Sequence, residues 1–214
     1  MKVVVFGATG MVGQGVLREC LLAPDVEEVL AVIRTPTGLT HPRLREVRLH
    51  DFADLEPIRD ELRGFDACFY CLGVSSIGLD EAAYTRVSYD YPMAAARTFA
   101  EVNPQTTFVY VSGAGTNAEG RQMWARVKGR AERDIIELLP DAYAFRPAMI
   151  QPKHGIRSKT GWYNTLWTVT APLMPLLDRV APQYVTSTDR VGRAMLRAAR
   201  IGFPERIVEN GGLR

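Results

Sequence analysis

The sequence predicts a doubly wound α/β fold, a parallel sheet with helices on both faces, and three observations lead there. Short β-branched runs alternate with amphipathic helical stretches, the runs are apolar almost throughout, and a glycine turn joins the first run to the first helical stretch. Strands buried on both faces and linked by crossover helices have this signature.

The expected strands are 2–6, 28–34, 45–49, 66–72, 106–112, 142–146 and 206–209. The expected helices are 11–23, 54–63, 80–102, 120–138 and 188–201, where apolar residues recur at helical spacing. With 214 residues, 47% of them hydrophobic, one domain suffices to bury a continuous core. Net charge is +2 and no run of like charge occurs, so nucleic acid is not an expected partner. The opening "MKVVVFGATG" passes from a short apolar run directly into the glycine turn; a secretory leader is not expected, and a cytoplasmic location is.

Three cysteines do not make a disulfide framework. Cys68 and Cys71 form a C-x-x-C, but "ACFYCLG" has the composition of a buried strand, in which positions three apart face opposite sides. His41, His50 and His154 are scattered, so no metal site is expected.

"VVVFGATGMVGQGVL" places Gly7, Gly10 and Gly13 after an apolar strand and at the opening of a helix. Glycines there permit a tight turn, let backbone N–H groups approach a pyrophosphate, and let helix and strand pack closely. The turn, with Thr9, Met11 and Val12, is the expected dinucleotide-binding segment. A NAD-selective site carries an acid about 20 residues further on, at the end of the second strand. Here "IRTPT" has none and offers Arg34, a cation suited to a 2′-phosphate, so NADP is the expected cofactor and NAD the alternative.

The G-x-x-G-x-x-G spacing, "HDF" at 50–52, "CLG" at 71–73, "VSGAG" at 111–115, Lys128 and "FRPAMI" at 145–150 resemble the short-chain dehydrogenase/reductase superfamily. The likeness is to its atypical branch of NAD(P)H-binding reductases and epimerase-like proteins, and it runs across nearly the whole chain. It implies that Asp51 and Phe52 meet the adenine, that Leu72 and Gly73 pass beside the adenine ribose, and that Arg146 and Pro147 flank the nicotinamide. It also implies a relay in which a serine orients a carbonyl, a tyrosine passes the proton, and a lysine lowers the tyrosine's pKa while holding the nicotinamide ribose. Ser112 and Lys128 match that relay, but Trp124 stands where the tyrosine belongs, and an indole N–H has no accessible protonation equilibrium. Trp124 is then a core residue, a flat wall of a pocket for a quinone-like or small carbonyl substrate, or the mark of a binding protein that has lost catalysis. Tyr84, Tyr89, Tyr91, Tyr163 and Tyr184 are the candidate replacement donors.

The expectation is one NAD(P)-binding domain over 1–214, with 152–187 as a substrate-side lid. Within the lid, Asn164, Pro172, Pro175 and Asp178 interrupt "GWYNTLWTVTAPLMPLLDRVAP" at 161–182, so a transmembrane helix is not expected. Trp162, Leu166, Val169 and Leu173 lie at helical spacing and make one apolar face, for a substrate, a homodimer or a membrane surface. An NADP-dependent oxidoreductase is the first functional expectation. A non-enzymatic NAD(P)-binding regulator is the second, and a nucleotide-sugar epimerase or dehydratase the third.

Overall fold

A computed structural model describes residues 1–156, 179 and 181–213. Seven parallel strands form the sheet in the order β3-β2-β1-β4-β5-β6-β9. These are β1 (Lys2–Phe6), β2 (Glu28–Ile33), β3 (Leu44–Arg48), β4 (Ala67–Tyr70), β5 (Thr107–Val111), β6 (Ala142–Arg146) and β9 (Ile207–Glu209). In β1, Val3 and Val5 enter the core on one face while Val4 and Phe6 enter it on the other, which is why the strand is apolar at consecutive positions.

Helices α1 (Met11–Leu22) and α5 (Thr188–Ile201) cover one face. The other carries α3 (Tyr91–Val102) and α4 (Met123–Leu138). Arg43, just before β3, donates to the carbonyls of Ala23 at 2.7 Å and Val26 at 2.5 Å, and also to that of Leu21. One guanidinium thus serves acceptors that the C-terminus of α1 leaves open. Cys68 lies in the core on the α3/α4 face and Cys71 packs against the core on the α1/α5 face, the opposite-face placement expected of a strand.

Two expected helices differ. Residues 54–63 form two short 3₁₀ turns, Glu56–Ile58 and Asp60–Leu62. Leu55, Ile58 and Leu62 do bury against the sheet, so the periodicity was real, but with Pro57 in the first turn the stretch holds only single turns. The stretch 80–102 divides into α2 (Glu81–Thr85), a π-helical turn (Arg86–Asp90) and α3. Pro92 has no N–H to give the Ser88 carbonyl, its partner in a regular helix. The Tyr110 hydroxyl donates to that carbonyl instead, at 3.0 Å. A pair the sequence did not suggest, β7 (Met149–Gln151) with β8 (Val185–Ser187), forms a separate parallel sheet. No helix among the described residues is long and apolar enough to cross a membrane. Residues 161–178 and 180 of the expected apolar segment, Tyr163 and the expected face of Trp162, Leu166, Val169 and Leu173 among them, and most of the lid lie outside the described residues.

Candidate functional site

Strand order reverses between β1 and β4, and open α/β sheets bind ligands outside the carboxyl ends of their strands at such a switch point. A cleft of about 630 Å³ opens there. Gly7 holds a φ of +76° at the end of β1, and a Cβ on it would stand 2.6 Å from the Leu72 nitrogen. Only glycine fits both constraints. A Cβ on Gly13 would stand 2.0 Å from the Gly7 carbonyl oxygen, so Gly13 sits beneath the turn; it sets the approach of α1 to β1 and does not line the cleft.

Gly10, Met11 and Val12 do line it. Gly10 is the N-cap of α1, no side chain caps that end, and the first turn has no acid. The N–H groups and positive dipole of the helix end therefore face the cleft without an internal anion, an arrangement suited to a pyrophosphate. The turn is held by Gly10 N–H donating to the Gly7 carbonyl at 2.9 Å and by the Gln14 amide donating to the Thr9 carbonyl at 3.2 Å.

Beyond the turn, Arg34 and Thr35 continue from β2 onto the cleft wall. Arg34 is exposed and makes no ion pair among the described residues. Phe52 lines the cleft with its ring 6.2 Å from Phe6, and Leu72 and Gly73 extend β4 along the same wall. Asp51 does not reach it. One of its oxygens accepts from Ala53 N–H at 3.0 Å and the other pairs with Arg86 at 3.2 Å, so its carboxylate organises the turn after β3.

At the far end stand Ser112 and Lys128. Ser112 follows β5, its hydroxyl 3.0 Å from that of Thr116, which donates onward to the Gly113 carbonyl at 2.8 Å. Lys128 reaches from α4; its Nζ donates to the Val111 carbonyl at 3.1 Å and lies 3.5 Å from the Tyr110 hydroxyl and 5.1 Å from that ring's centre. Burial pushes the ammonium down to about 8, while Glu132 pulls the other way. Trp124 shares the Lys128 helix face one turn earlier. It is half-buried, belongs to neither core cluster among the described residues, and faces the glycine-rich turn after β5: a Cβ on Gly115 would meet its ring at 3.6 Å.

Other expected site residues lie elsewhere. Arg146 points away from the cleft: it grips Glu132 at 2.6 and 3.0 Å and Glu209 at 2.9 Å, in a separate groove between α4 and the sheet. The buried Glu132 carboxylate requires that cation, and nothing in the linear sequence joins the two. Pro147 is buried outside the cleft, its carbonyl accepting from Ala114 N–H at 2.9 Å. Tyr84 is buried away from the cleft, Tyr89 donates to Asp134 at 2.6 Å, Tyr91 accepts from Arg86 at 3.2 Å, and Tyr184 is exposed. Lining residues the sequence reading missed are Val32, Ile33, Cys71, Val74, Ser75 and Val111, which flank the strand ends it had found, and Ile150. Ile150 ends the "FRPAMI" stretch, but its place on the cleft follows from a strand defined by pairing with β8.

No family model matches the chain. It is 27% identical over 153 residues to Protein FMP52-1, mitochondrial, of Scheffersomyces stipitis, covering 70% of this chain and 67% of that protein. Across the curated relatives it matches, the chain spans 52% to 67% of their lengths. Such a mitochondrial name overturns the cytoplasmic expectation, since a strand-and-turn reading of ten residues carries no information about compartment. Among solved structures, a thiolation-reductase di-domain from an archaeal non-ribosomal peptide synthetase superposes with a TM-score of 0.69 at 15% identity, covering 96% of this chain and 69% of that one. The Bordetella bronchiseptica enzyme WbmH, in complex with NAD+, superposes with a TM-score of 0.67 at 18% identity, covering 97% of this chain and 73% of that one.

Proposed function

We propose that this chain, which has the fold of the short-chain dehydrogenase/reductase superfamily, is an oxidoreductase that binds a nicotinamide dinucleotide across the β1–β4 crevice and reduces a small carbonyl or quinone-like compound. The observation that carries the reading is one cleft that brings together the uncapped glycine turn, Arg34, Phe52, Leu72, Ser112 and Lys128, residues drawn from six separate stretches of chain. The NAD+ held by WbmH, a protein of the same fold, supports the cofactor class.

In this reading the N–H groups of Gly10 to Val12 hold the pyrophosphate, Phe52 and Leu72 enclose the adenosine, and Arg34 receives a 2′-phosphate. The bound nicotinamide supplies hydride. Ser112 orients the substrate oxygen and Lys128 places positive charge where negative charge develops, while Trp124 stands against the turn after β5 and is not among the described residues that line the cleft.

The absence of a titratable proton at Trp124 favours a second reading, a dinucleotide-binding regulator without turnover. Incubation with NADPH and a panel of quinones, aldehydes and ketones separates the two: loss of reduced-cofactor absorbance supports the enzyme, and binding without loss supports the regulator. Arg34→Ala should weaken NADPH binding by about 1–3 kcal/mol through loss of a charge-assisted phosphate contact, and leave NADH binding nearly unchanged. Calorimetry that shows equal weakening of both cofactors would remove the assignment of NADP.

A further inference from the structure

We propose that Lys128 is itself the proton donor to the substrate oxygen, replacing the tyrosine that Trp124 displaces. The proposal rests on the oxidoreductase reading above. It starts from elimination: among the described residues lining the cleft, the titratable side chains are Arg34, Cys71 and Lys128. Arg34 stands at the opposite end, on the β2 side, and a guanidinium is not a proton donor in general acid catalysis. The Cys71 thiol is raised far from neutrality by burial. The hydroxyls of Ser112 and Thr116 are bonded to each other, and the Tyr110 hydroxyl is committed to the Ser88 carbonyl.

Geometry then suits Lys128 to the task. An ammonium has three N–H groups. One is held by the Val111 carbonyl at 3.1 Å and a second faces the Tyr110 oxygen at 3.5 Å, so the third is left for the cleft that Lys128 lines. No carboxylate pairs with this ammonium among the described residues. Glu132, one turn further along α4, is engaged by Arg146 from β6, and the remaining neighbours are Tyr110 on β5 and, behind it, Tyr84 on α2. Burial without a close counter-ion lowers the ammonium to about 8, where it is protonated at neutral pH yet acidic enough to donate.

The step balances as a two-electron reduction. The carbonyl carbon accepts a hydride from the reduced nicotinamide, the C=O pair moves onto oxygen, and that oxygen takes the Nζ proton. The carbonyl is reduced to an alcohol, the nicotinamide is oxidised, and the neutral amine regains a proton from water. Because the protonated form is the donor, kcat/KM for the carbonyl holds below about pH 8 and falls as pH rises through that value.

Two measurements test the assignment. In the protein without cofactor, trace labelling with acetic anhydride across a pH series, read by mass spectrometry, should give Lys128 a midpoint near 8, against roughly 10.4 for a free lysine side chain. With NADPH and an accepted carbonyl, Lys128→Arg keeps the charge but cannot donate, and should lower kcat by about 10²-fold or more and abolish the limb near pH 8. Lys128→Met should lose as much, and melting curves of both variants establish that they are folded. A Lys128 midpoint with the ordinary lysines, or a Lys128→Arg protein that retains both kcat and the limb, overturns the donor role while leaving the oxidoreductase reading intact. Wild-type protein that binds NADPH and reduces nothing on the panel overturns both.

Discussion

Arg146 and Lys128 are two cations whose surroundings assign them opposite work. The guanidinium of Arg146 is bound on both sides, by a Glu132 carboxylate that is only 3% exposed and by Glu209 at the surface. Its pKa is raised, chiefly by the Glu132 hydrogen bonds, so it is a permanent structural charge. Arg146→Met should therefore destabilise the fold by about 3–5 kcal/mol, since it leaves a buried carboxylate unpaired. Adding Glu132→Met to it should recover much of that loss, while NADPH affinity of either folded variant stays unchanged. Urea unfolding and calorimetry read the two effects. A large loss of NADPH affinity in Arg146→Met would return this residue to the nicotinamide. Lys128, by contrast, has a carbonyl, a phenol ring and the cleft around it, and no anion within pairing distance among the described residues.

At the scale of elements, the glycine turn does two separable things. Gly13 sets the distance between α1 and β1, and Gly10 leaves the end of α1 bare. In Gly13→Ala the new methyl meets only backbone, the Gly7 carbonyl and Ala8 Cα, which cannot give way without shifting α1 or β1. The expected result is a loss of about 1–3 kcal/mol or more, seen as a lower urea midpoint. In Gly10→Ala the nearest atom is 3.3 Å away, so the fold should persist while the methyl obstructs the pyrophosphate. A Gly13→Ala protein as stable as wild type would show that the close approach is not needed. The π-helical turn before α3 is another element-scale device: Pro92 deprives the Ser88 carbonyl of its donor, and a tyrosine from the neighbouring strand supplies one.

Over the whole molecule, the cleft is bounded by β1, β2, β4 and β5 with α1 and α4, elements from both sides of the sheet. Occupation of the cleft therefore ties together layers that otherwise meet only through the sheet. A ligand that binds the folded state alone, at about 100 times its Kd, adds about 2.7 kcal/mol. For a chain of this size that corresponds to roughly 5–10 °C in Tm. NADPH should raise the whole transition by that amount, and NADH at the same concentration by less. An unshifted Tm for both would place the dinucleotide elsewhere or nowhere on this chain.

The sequence by itself determined the layered architecture, most strand and helix positions, and the part of the cleft that is local in the chain. Apolar runs of β-branched residues can be buried on both sides only in a covered parallel sheet, and a glycine triplet between strand and helix has few other uses, so Gly7 to Val12 and Arg34 were legible from their offsets to strand ends, and Phe52, Leu72, Gly73, Ser112 and Lys128 from the resemblance to the short-chain dehydrogenase/reductase superfamily. What only the tertiary structure decided depends on partners far apart in sequence. Glu132 claims Arg146, Arg86 claims Asp51, and Tyr110 reaches Ser88, each across at least 14 residues, and periodicity and motif spacing contain no information about which distant side chain arrives first. The same reason explains β7 and β8, three-residue strands that exist because they found each other.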